Sequence, residues 1–521
     1  MTSPTRPFPR RRVRWGMIVT LILAAVLAGC AENALKLAPG SATEPWVPGE
    51  TGGSALLPGN DAPRAAAAGP ADFSPPSNTA AARLAPPPQL VAGETYQLPQ
   101  LIDIAARNTP QTRIAWEEAR QAALAVGMTE ATFLPTITAT VIGGAQRVRT
   151  PLPDNITGID SFTTTEDGVV PAVLLEWLVF DFGQRRANAE AARHTSFAAN
   201  IDFTGAHQQV IYNVTIAYYR YGATQARERA ARQALANSRL IQNAADGRME
   251  RGIGTSVEVA QARQQVAQAR LRLVEAEGTR RDAYQGLLAA MGISPMTEMR
   301  VGDVGARRLP RSVGQPTEEV IEAALARRPD VLAAYSRLKA SEAGIRASRA
   351  EFLPKVYLSG IAASDRTSLS VNGLPGIGQQ STSAGVLVGV AVPIYSGGLR
   401  KAQLEQAKSL SATAKDAFTQ TQDAAAREIV VANDTLRTAL AAHAAASELV
   451  AAAEVTYDAA LQSYRNGVGT LTDATAADTG LLDARQARAD AHAAALAAAA
   501  TLAFSLGTMT STEAPARTTV R

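Results

Sequence analysis

The one cysteine of the chain, Cys30, stands where its thiol is expected to be acylated. An arginine-rich start leads into an apolar run from Met17 to Leu27, which is too short to cross a bilayer as a mature helix. The small residues Ala28 and Gly29 then precede the cysteine, in the pattern that the lipoprotein signal peptidase cuts. We therefore expect residues 1–29 to be a removed signal peptide and Cys30 to be lipidated. An ordinary signal peptide with a chance cysteine and an uncleaved anchor are the alternatives.

The charge of the chain depends on this same segment. The full sequence carries a formal net charge of +4, which on its own would suggest a protein that binds nucleic acid. Residues 1–29 hold five arginines and no acid, and without them 46 basic residues face 47 acidic ones. The mature chain therefore lacks the basic footprint of a nucleic-acid binder. With a single cysteine it also cannot form an intramolecular disulfide.

Beyond the cysteine, the residue types that usually do chemistry are sparse. The histidines are scattered along the chain, and no two have metal-ligand spacing: His194, His207, His443 and His492. The sequence has no Gly-x-Ser-x-Gly nucleophile elbow, no phosphate-binding Gly-Lys-Ser/Thr loop and no dinucleotide fingerprint. We expect a chain that is not an enzyme and that has no catalytic site, metal site or cofactor.

The elements that position the remaining residues occur twice. Leu101–Pro135 aligns with Val320–Pro354 at an offset of 219 residues, and after a loop the offset settles near 215. At that second offset, a Gly-Ile-Gly-Thr sequence beginning at Gly252 faces Gly-Val-Gly-Thr beginning at Gly467. Because solenoid repeats are much shorter, this period indicates a tandem duplication of a whole structural half.

The duplication and the composition together predict the organisation of the chain. A stretch rich in Pro, Ala and Gly precedes the first repeat and has no visible periodicity, as expected of a linker or extended arm. The predicted segments are a signal peptide (1–29), an N-terminal arm (30–95), repeat 1 (96–300), a connector (301–316), repeat 2 (317–508) and a C-terminal tail (509–521).

Each repeat begins with a helix and a strand pair. A helix of about 20–25 residues runs up to a Phe-Leu-Pro sequence, whose proline ends it. Runs with strand character follow, and loops rich in polar residues and glycine, roughly 147–168 and 367–380, separate them. The strand runs are Thr136–Val141 and Val169–Phe180 in repeat 1, and Lys355–Ile361 and Thr382–Ile394 in repeat 2.

A very long helix follows each strand pair. From Leu399 to Asn466 the sequence has neither Gly nor Pro over 68 residues, and the matching stretch from Gln184 to Asp246 has no Pro. As one helix this stretch would be about 100 Å long. Its apolar residues recur near a period of 3.5, as in a coiled-coil seam: Ile429, Leu436, Leu440, Val450, Tyr457, Leu461 and Tyr464. A Gly-x-Gly-Thr turn and a return helix (255–290 and 470–505) complete each hairpin.

Four strands cannot close a barrel, and open sheet edges are not tolerated in lipid. Three copies would supply twelve strands, an even number within the usual range of membrane barrels. The sequence therefore predicts a mainly α fold with a small β part. In this fold a trimer joins a tube of long α-helical hairpins to a 12-stranded β-barrel, four strands from each protomer.

The order and spacing of these features resemble the TolC-like outer-membrane factors of the lipoprotein branch, sometimes called NodT-like. The most specific sequence is Tyr-Arg-Asn-Gly-Val-Gly-Thr from Tyr464 to Thr470. The resemblance implies a homotrimer that contacts outer-membrane lipids and extends through the periplasm. It also implies two protein partners, a periplasmic adaptor (membrane fusion protein) and an inner-membrane pump. The implied function is the outer-membrane channel of a tripartite efflux or secretion system that conducts small molecules or other substrates outward.

The resemblance also assigns roles to the two hairpin turns, which in this family form the periplasmic tip where adaptors dock. The residues expected to contact the adaptor are Arg251, Gly252, Gly254, Thr255, Asn466, Gly467, Gly469 and Thr470. Any helical hairpin needs such glycines, so a purely structural role is the alternative. Arg465 of the second turn is matched by Glu250 of the first, so the two turns need not bind the adaptor equally.

One acid stands directly after each turn, Glu258 and Asp473, at equivalent positions of the duplication. In a trimer they would give six carboxylates near the narrow end of the tube, where like charges raise one another's pKa and attract cations. We expect these residues to form the periplasmic gate, as the acidic ring does in the family. The family's frequent second acid is replaced by Ala476, and an ordinary solvated acid is the alternative for each residue.

Three other functions remain open at this point. The channel could belong to a type I protein or polysaccharide secretion system, because the pump and the adaptor select most of the substrate. A non-conducting periplasmic scaffold would also use long hairpins, although adaptors usually carry one hairpin and not two. An exported enzyme is disfavoured by the missing catalytic motifs.

Overall fold

A computed structural model gives the fold. The structure describes residues 42–43, 73, 88, 90–91, 93–151, 161–310, 312–371 and 376–510. Cys30, the expected signal peptide, most of the expected arm and most of the expected tail lie outside these residues. Within the described residues, none of the helices combines the length and the apolar content needed to cross a membrane.

Eight helices, six strands and one 3₁₀ turn make up the described part of the chain. In the first repeat they are β1 (Thr95–Tyr96), α1 (Leu98–Asn108), α2 (Pro110–Ala131), β2 (Thr136–Pro151), β3 (Ser161–Phe180), α3 (Gln184–Glu250) and α4 (Ser256–Ala290). The connector contains β4 (Arg300–Val301) and the 3₁₀ turn Val304–Ala306. The second repeat has α5 (Glu318–Leu325), α6 (Pro329–Ala350), β5 (Lys355–Val371), β6 (Ile377–Ala391), α7 (Leu399–Arg465) and α8 (Leu471–Ser505).

The long helices predicted from the sequence are present and match in length. α3 and α7 each have 67 residues and no break, and α4 and α8 each have 35. A left-handed glycine stands directly before each long helix, Gly183 at φ 92° and Gly398 at φ 86°. The expected seam of α7 is buried at every position except Leu440, which is half-buried.

Each repeat also begins with a short helix that the sequence interpretation did not separate from its neighbour. Thr109 and Arg328 are extended residues directly before Pro110 and Pro329. Proline disfavours a helical conformation of the preceding residue but fits the first turn of the next helix. The helical segment before each Phe-Leu-Pro is therefore two helices, of which the second has 22 residues in both repeats.

The four long strands form one antiparallel sheet in the order β2-β3-β5-β6, so the two hairpins meet at β3 and β5. The expected strand lengths, about 7–13 residues, were too short: β2 and β3 have 16 and 20 residues, and β5 and β6 have 17 and 15. Residues assigned to polar loops continue the ladder, with Val148 opposite Thr164. Backbone hydrogen bonds hold a ladder whatever the side-chain polarity, and β-branched threonine suits a strand.

Buried Arg185 locks the junction between the sheet and the helices in the first repeat. Its Nε pairs with Asp181 Oδ2 at 2.9 Å, and its Nη1 donates to the carbonyl of Thr132 at 2.8 Å. Its guanidinium also lies over the ring of Phe133, 4.8 Å from the centroid. The Phe-Leu-Pro entry and the Phe-Asp-Phe-Gly exit are therefore held together by one side chain.

Two apolar clusters stabilise the helices. The larger lies where α1, α3, α4 and the end of α8 meet, and its fully buried members include Leu101, Val214, Leu287 and Met291. The other lies beside the two hairpin turns and joins all four long helices of the hairpins. Its members are Ile241, Ala245, Val259, Ala262, Tyr457, Leu461, Tyr464, Leu471, Ala474 and Leu481. The turns are thus anchored to each other by a shared core.

Candidate functional site

The two hairpin turns reverse the chain with the same backbone. Gly252 and Gly467 have left-handed φ values of 73° and 82°. In the first turn Gly252 N donates to Met249 O at 2.9 Å, and Ile253 N donates to Arg248 O at 3.0 Å. These paired bonds define a Schellman motif, which satisfies carbonyls at the end of a helix. The second turn repeats both bonds.

The second glycine of each turn is required for space. A Cβ on Gly254 would lie 2.8 Å from Met249 N, and one on Gly469 would lie 2.9 Å from Ser463 Cβ. Neither distance is compatible with an undisturbed turn. The Gly-x-Gly pattern that the sequence singled out therefore has two separate causes, a left-handed conformation at the first glycine and a close backbone approach at the second.

The two acids predicted to form a gate are the third residues of capping boxes. Thr255 Oγ1 accepts from Glu258 N at 3.2 Å, and Glu258 Oε2 accepts from Thr255 N at 3.1 Å. Thr470 and Asp473 make the same pair of bonds, both at 3.3 Å or less. The sequence analysis did not recognise these boxes, although Thr-x-x-Glu and Thr-x-x-Asp were visible. The gate assignment itself stays a prediction.

Arg248 joins the first turn to the second, and the sequence analysis missed it. Its Nη1 donates to the carbonyl of Tyr464 at 3.0 Å, and its Nη2 donates to the carbonyl of Ile253 at 3.3 Å. The guanidinium lies over the Tyr464 ring at 5.0 Å. Burial, and after it the charge of Glu258, raises the pKa of the Tyr464 phenol, so this acid lies close to the same cluster.

Asp478, which the sequence analysis set aside, is the most buried acid near the turns, with 1% of its surface exposed. Its Oδ2 accepts from Ser238 Oγ at 2.8 Å, and its Oδ1 has no hydrogen-bond partner in the described structure. Burial raises the pKa of this carboxyl. Burial and the nearby Asp478 also raise the pKa of Tyr457 to about 12.

The ends of the turns carry exposed apolar side chains. Ile253 is 59% exposed and Val468 is 82% exposed, at equivalent positions between the two glycines. The predicted contact residues Arg251 and Asn466 beside them are exposed as well. Each turn therefore presents one aliphatic side chain within a polar surface, which is typical of a protein contact.

One expectation about histidines was wrong. The rings of His443 and His492 lie 5.4 Å apart between their centroids, although 48 intervening residues hid the pair in the sequence. The two helices α7 and α8 run antiparallel from a shared turn, so residues distant in sequence become neighbours. No group of three or more possible metal ligands occurs among the described residues.

The sequence is similar to a family of outer-membrane proteins and to its characterised members. The profile of the family described as outer membrane efflux protein matches residues 101–293 and 320–508. Protein CyaE of Bordetella pertussis is 27% identical over 403 residues, which cover 77% of this chain and 81% of that protein. Outer membrane protein OprJ of Pseudomonas aeruginosa is also 27% identical, over 66% of this chain and 70% of its own length.

A solved structure agrees with this relationship at the level of the fold. The crystal structure of a membrane protein from Pseudomonas aeruginosa superposes with a TM-score of 0.66 at 24% identity, covering 79% of this chain and 93% of that one. The architecture is TolC-like, with long helical hairpins joined to a small β part. Because the family profile matches both repeats over well more than half of the sequence, the chain belongs to the outer membrane efflux protein family.

Proposed function

We propose that three copies of the chain form the outer-membrane channel of a tripartite efflux or secretion system. Channels of this family are trimers that work with a periplasmic adaptor and an inner-membrane pump. The observation that carries the proposal for this chain is the junction between its own two repeats. That junction has an unused counterpart on each outer side of the protomer.

The sheet supports this argument first. β3 of repeat 1 pairs with β5 of repeat 2, and under the duplication β3 corresponds to β6 and β5 to β2. β6 of one copy would therefore pair with β2 of the next by the same geometry. These two strands are the edges of the sheet, and both are exposed along nearly their whole length. Three such pairings would close a cylinder of twelve strands and leave no edge.

The helices repeat the argument. α3 packs against α8 within the chain, so the equivalent contact joins α7 of one copy to α4 of the next. Both of those helices carry exposed aliphatic side chains in the isolated protomer: Val257, Leu271 and Val274 on α4, and Val431, Leu449 and Val455 on α7. Burying them between copies would stabilise a closed ring of six hairpins by about 25 cal/mol for each Å² removed from water.

Disulfide trapping at the sheet edge tests this arrangement. Val141 and Val390 correspond to the paired residues Gly360 and Leu175. In a Cys30→Ser background, Val141→Cys with Val390→Cys, or with Val388→Cys on the same face, should give covalent trimers on oxidation. The matched control, Leu175→Cys with Gly360→Cys, should link only within one chain. Intrachain links from the edge pairs, or an open series beyond the trimer, would contradict the proposal.

We further propose that the turns dock the adaptor, supported by exposed Ile253 and Val468 at the ends of the hairpins. A photoreactive residue at position 468 should crosslink to a periplasmic adaptor in the native cell, and one at exposed Leu410, far along α7, should not. Equal adaptor labelling from both positions would remove the assignment of the turns.

We propose that Glu258 and Asp473 gate the periplasmic end and that Cys30 carries the lipid. The capping boxes support the first proposal, because they hold both carboxylates at the same place beside each turn. The signal-peptide pattern supports the second. Intact mass of the mature protein tests the lipid directly, and an unmodified cysteine or retained residues 1–29 would rule it out.

A further inference from the structure

A groove of about 790 Å³ lies midway along the helices, away from the turns. One face each of α3, α7 and α8 forms its walls, and the connector after β4 closes one side. The lining residues of α3 follow helical spacing, from Gly222 through Ala226 and Arg229 to Gln233. A volume of this size falls within the range of small-molecule sites.

Small side chains keep the groove open where the helices approach one another. Ala223 and Ala226 line it on α3, and Ala489 and Ala493 line it on α8. The connector packs tightly beside them, since a Cβ on Gly222 would lie 2.3 Å from Val304 Cγ2. The connector is therefore a fixed wall of the groove.

Positive charge dominates the lining. It contains four arginines and two histidines, but only one acid, Glu454. Arg485 pairs with this acid at 2.9 Å, and Arg229 reaches Asp303 beside the groove at 3.3 Å. Arg488 is exposed and has no ion pair among the described residues. The groove therefore has an excess of cationic groups that face a common space.

The two histidines add donors whose charge can change. His492 Nε2 lies 3.0 Å from the carbonyl of Arg307, so this nitrogen carries the proton and donates it. The ring of His443 lies beside it, and its pKa is lowered by burial first and then by the charges of His492 and Arg488. An anion in the groove would offset these positive charges and favour protonation of His443.

The same observations argue against a metal. Two imidazoles alone are a weak site, and within the described residues no third His, Cys, Asp or Glu completes a ligand group. The arginines would also repel a cation. Guanidinium groups instead match the planar geometry of carboxylate and phosphate, which they bind through two parallel hydrogen bonds.

We propose that this groove binds a small organic or inorganic polyanion that carries at least two carboxylate or phosphate groups. Arg488 and His443 are the contacting groups supplied by α8 and α7, and Arg307 and His492 form the opposite side. The site lies within one protomer, so the proposal does not depend on the channel function or on the trimer.

Calorimetric titration of the purified trimer in detergent tests this binding, with citrate and pyrophosphate as the two probes at constant ionic strength. We expect Arg488→Ala and His443→Gln each to weaken binding, and the double variant to weaken it about tenfold or more. The matched control is Arg239→Ala, because Arg239 is exposed on α3 and lies outside the groove lining. Citrate binding without pyrophosphate binding, or the reverse, identifies the preferred anionic group.

Lowering the pH provides a second readout. The charged groups that face His443 are Arg229 of α3, Arg307 of the connector, Glu454 of α7, and Arg485, Arg488 and His492 of α8. Among these side-chain types, histidine is the one that normally titrates between about pH 6 and pH 8. Binding should therefore tighten as the pH falls through this window, and tighten less in His443→Gln. Absence of binding by both anions, or an equal loss in Arg239→Ala, would overturn the proposal.

Discussion

The α3–α4 turn and the α7–α8 turn share their backbone and differ in their side chains. Both have a left-handed glycine, a second glycine in close backbone contact, and a capping box of threonine and an acid. The side chains before the glycines have diverged: Glu250 stands opposite Arg465, and Arg248 opposite Ser463. The duplication has therefore preserved what the reversal of the chain requires, while the contacts between the turns have become one-sided.

The largest expected effect comes from filling the close backbone contact in both turns. Gly254→Ala and Gly469→Ala should each cost roughly 1–3 kcal/mol, because the added methyl displaces backbone or Cβ atoms. The temperature at which the trimer dissociates on a gel should fall similarly for each single variant and furthest for the double. Gly247→Ala on α3, where a Cβ meets no atom within 4 Å, is the control. A clear difference between the two single variants would show that the turns are not equivalent.

A smaller effect should separate the two turns. Arg248→Ala removes two hydrogen bonds and the contact with the Tyr464 ring, and hydrogen bonds to charged groups contribute about 1.5–3 kcal/mol in favourable cases. Ser463→Ala, at the equivalent position, should change stability by less than about 0.5 kcal/mol. Trimer melting measures both. Equal losses would mean that Arg248 does not join the turns, and Arg248→Lys should rescue only partly, since it lacks the guanidinium fork.

The most subtle effect concerns buried Asp478. Its raised pKa means that the folded state holds the proton more tightly than the unfolded state. The associated stability is fully present below the unfolded value near 3.8 and is lost as the pH rises through the folded pKa. Asp478→Asn keeps an acceptor for Ser238 and removes the ionisation, so it should stabilise the trimer at about pH 7.5 and change little at about pH 4.

The control for this substitution is Asp483→Asn, because Asp483 is exposed on the same helix. That variant should give no pH-dependent gain. A gain of Asp478→Asn that is the same at both pH values, or a loss at pH 7.5, would mean that burial of the charge is not what limits stability at this position.

Helix lengths and turn positions could be predicted because they depend on local signals. Absence of Gly and Pro from Leu399 to Asn466 specified α7 to within one residue, and the Gly-x-Gly-Thr sequences located both turns. The strands were predicted at their apolar ends and missed at their polar ends. Beyond the hydrophobic band, pairing depends on the partner strand, and the register of Val148 with Thr164 is not written in either segment alone.

The site residues divide in the same way. The glycines and capping threonines act on their own backbone, so sequence spacing was sufficient to find them. Arg248 acts on Tyr464, 216 positions away, and His443 lies against His492 across a hairpin. Asp478 looked like a surface acid because α8 has no helical neighbour visible in its own sequence, whereas in the structure it packs against α3 as well as α7. Contacts of this kind require the tertiary arrangement.

Conductance is the most direct test that three copies form a duct gated at the turns. Purified trimers in a planar bilayer should show channel openings, and hexamminecobalt added on the periplasmic side should block them. Glu258→Gln with Asp473→Asn removes the charges but retains side-chain acceptors for the capping bonds, so this variant should conduct and resist the block with its trimer intact. A trimer that never conducts would contradict the account, and equal block of both proteins would contradict the gate.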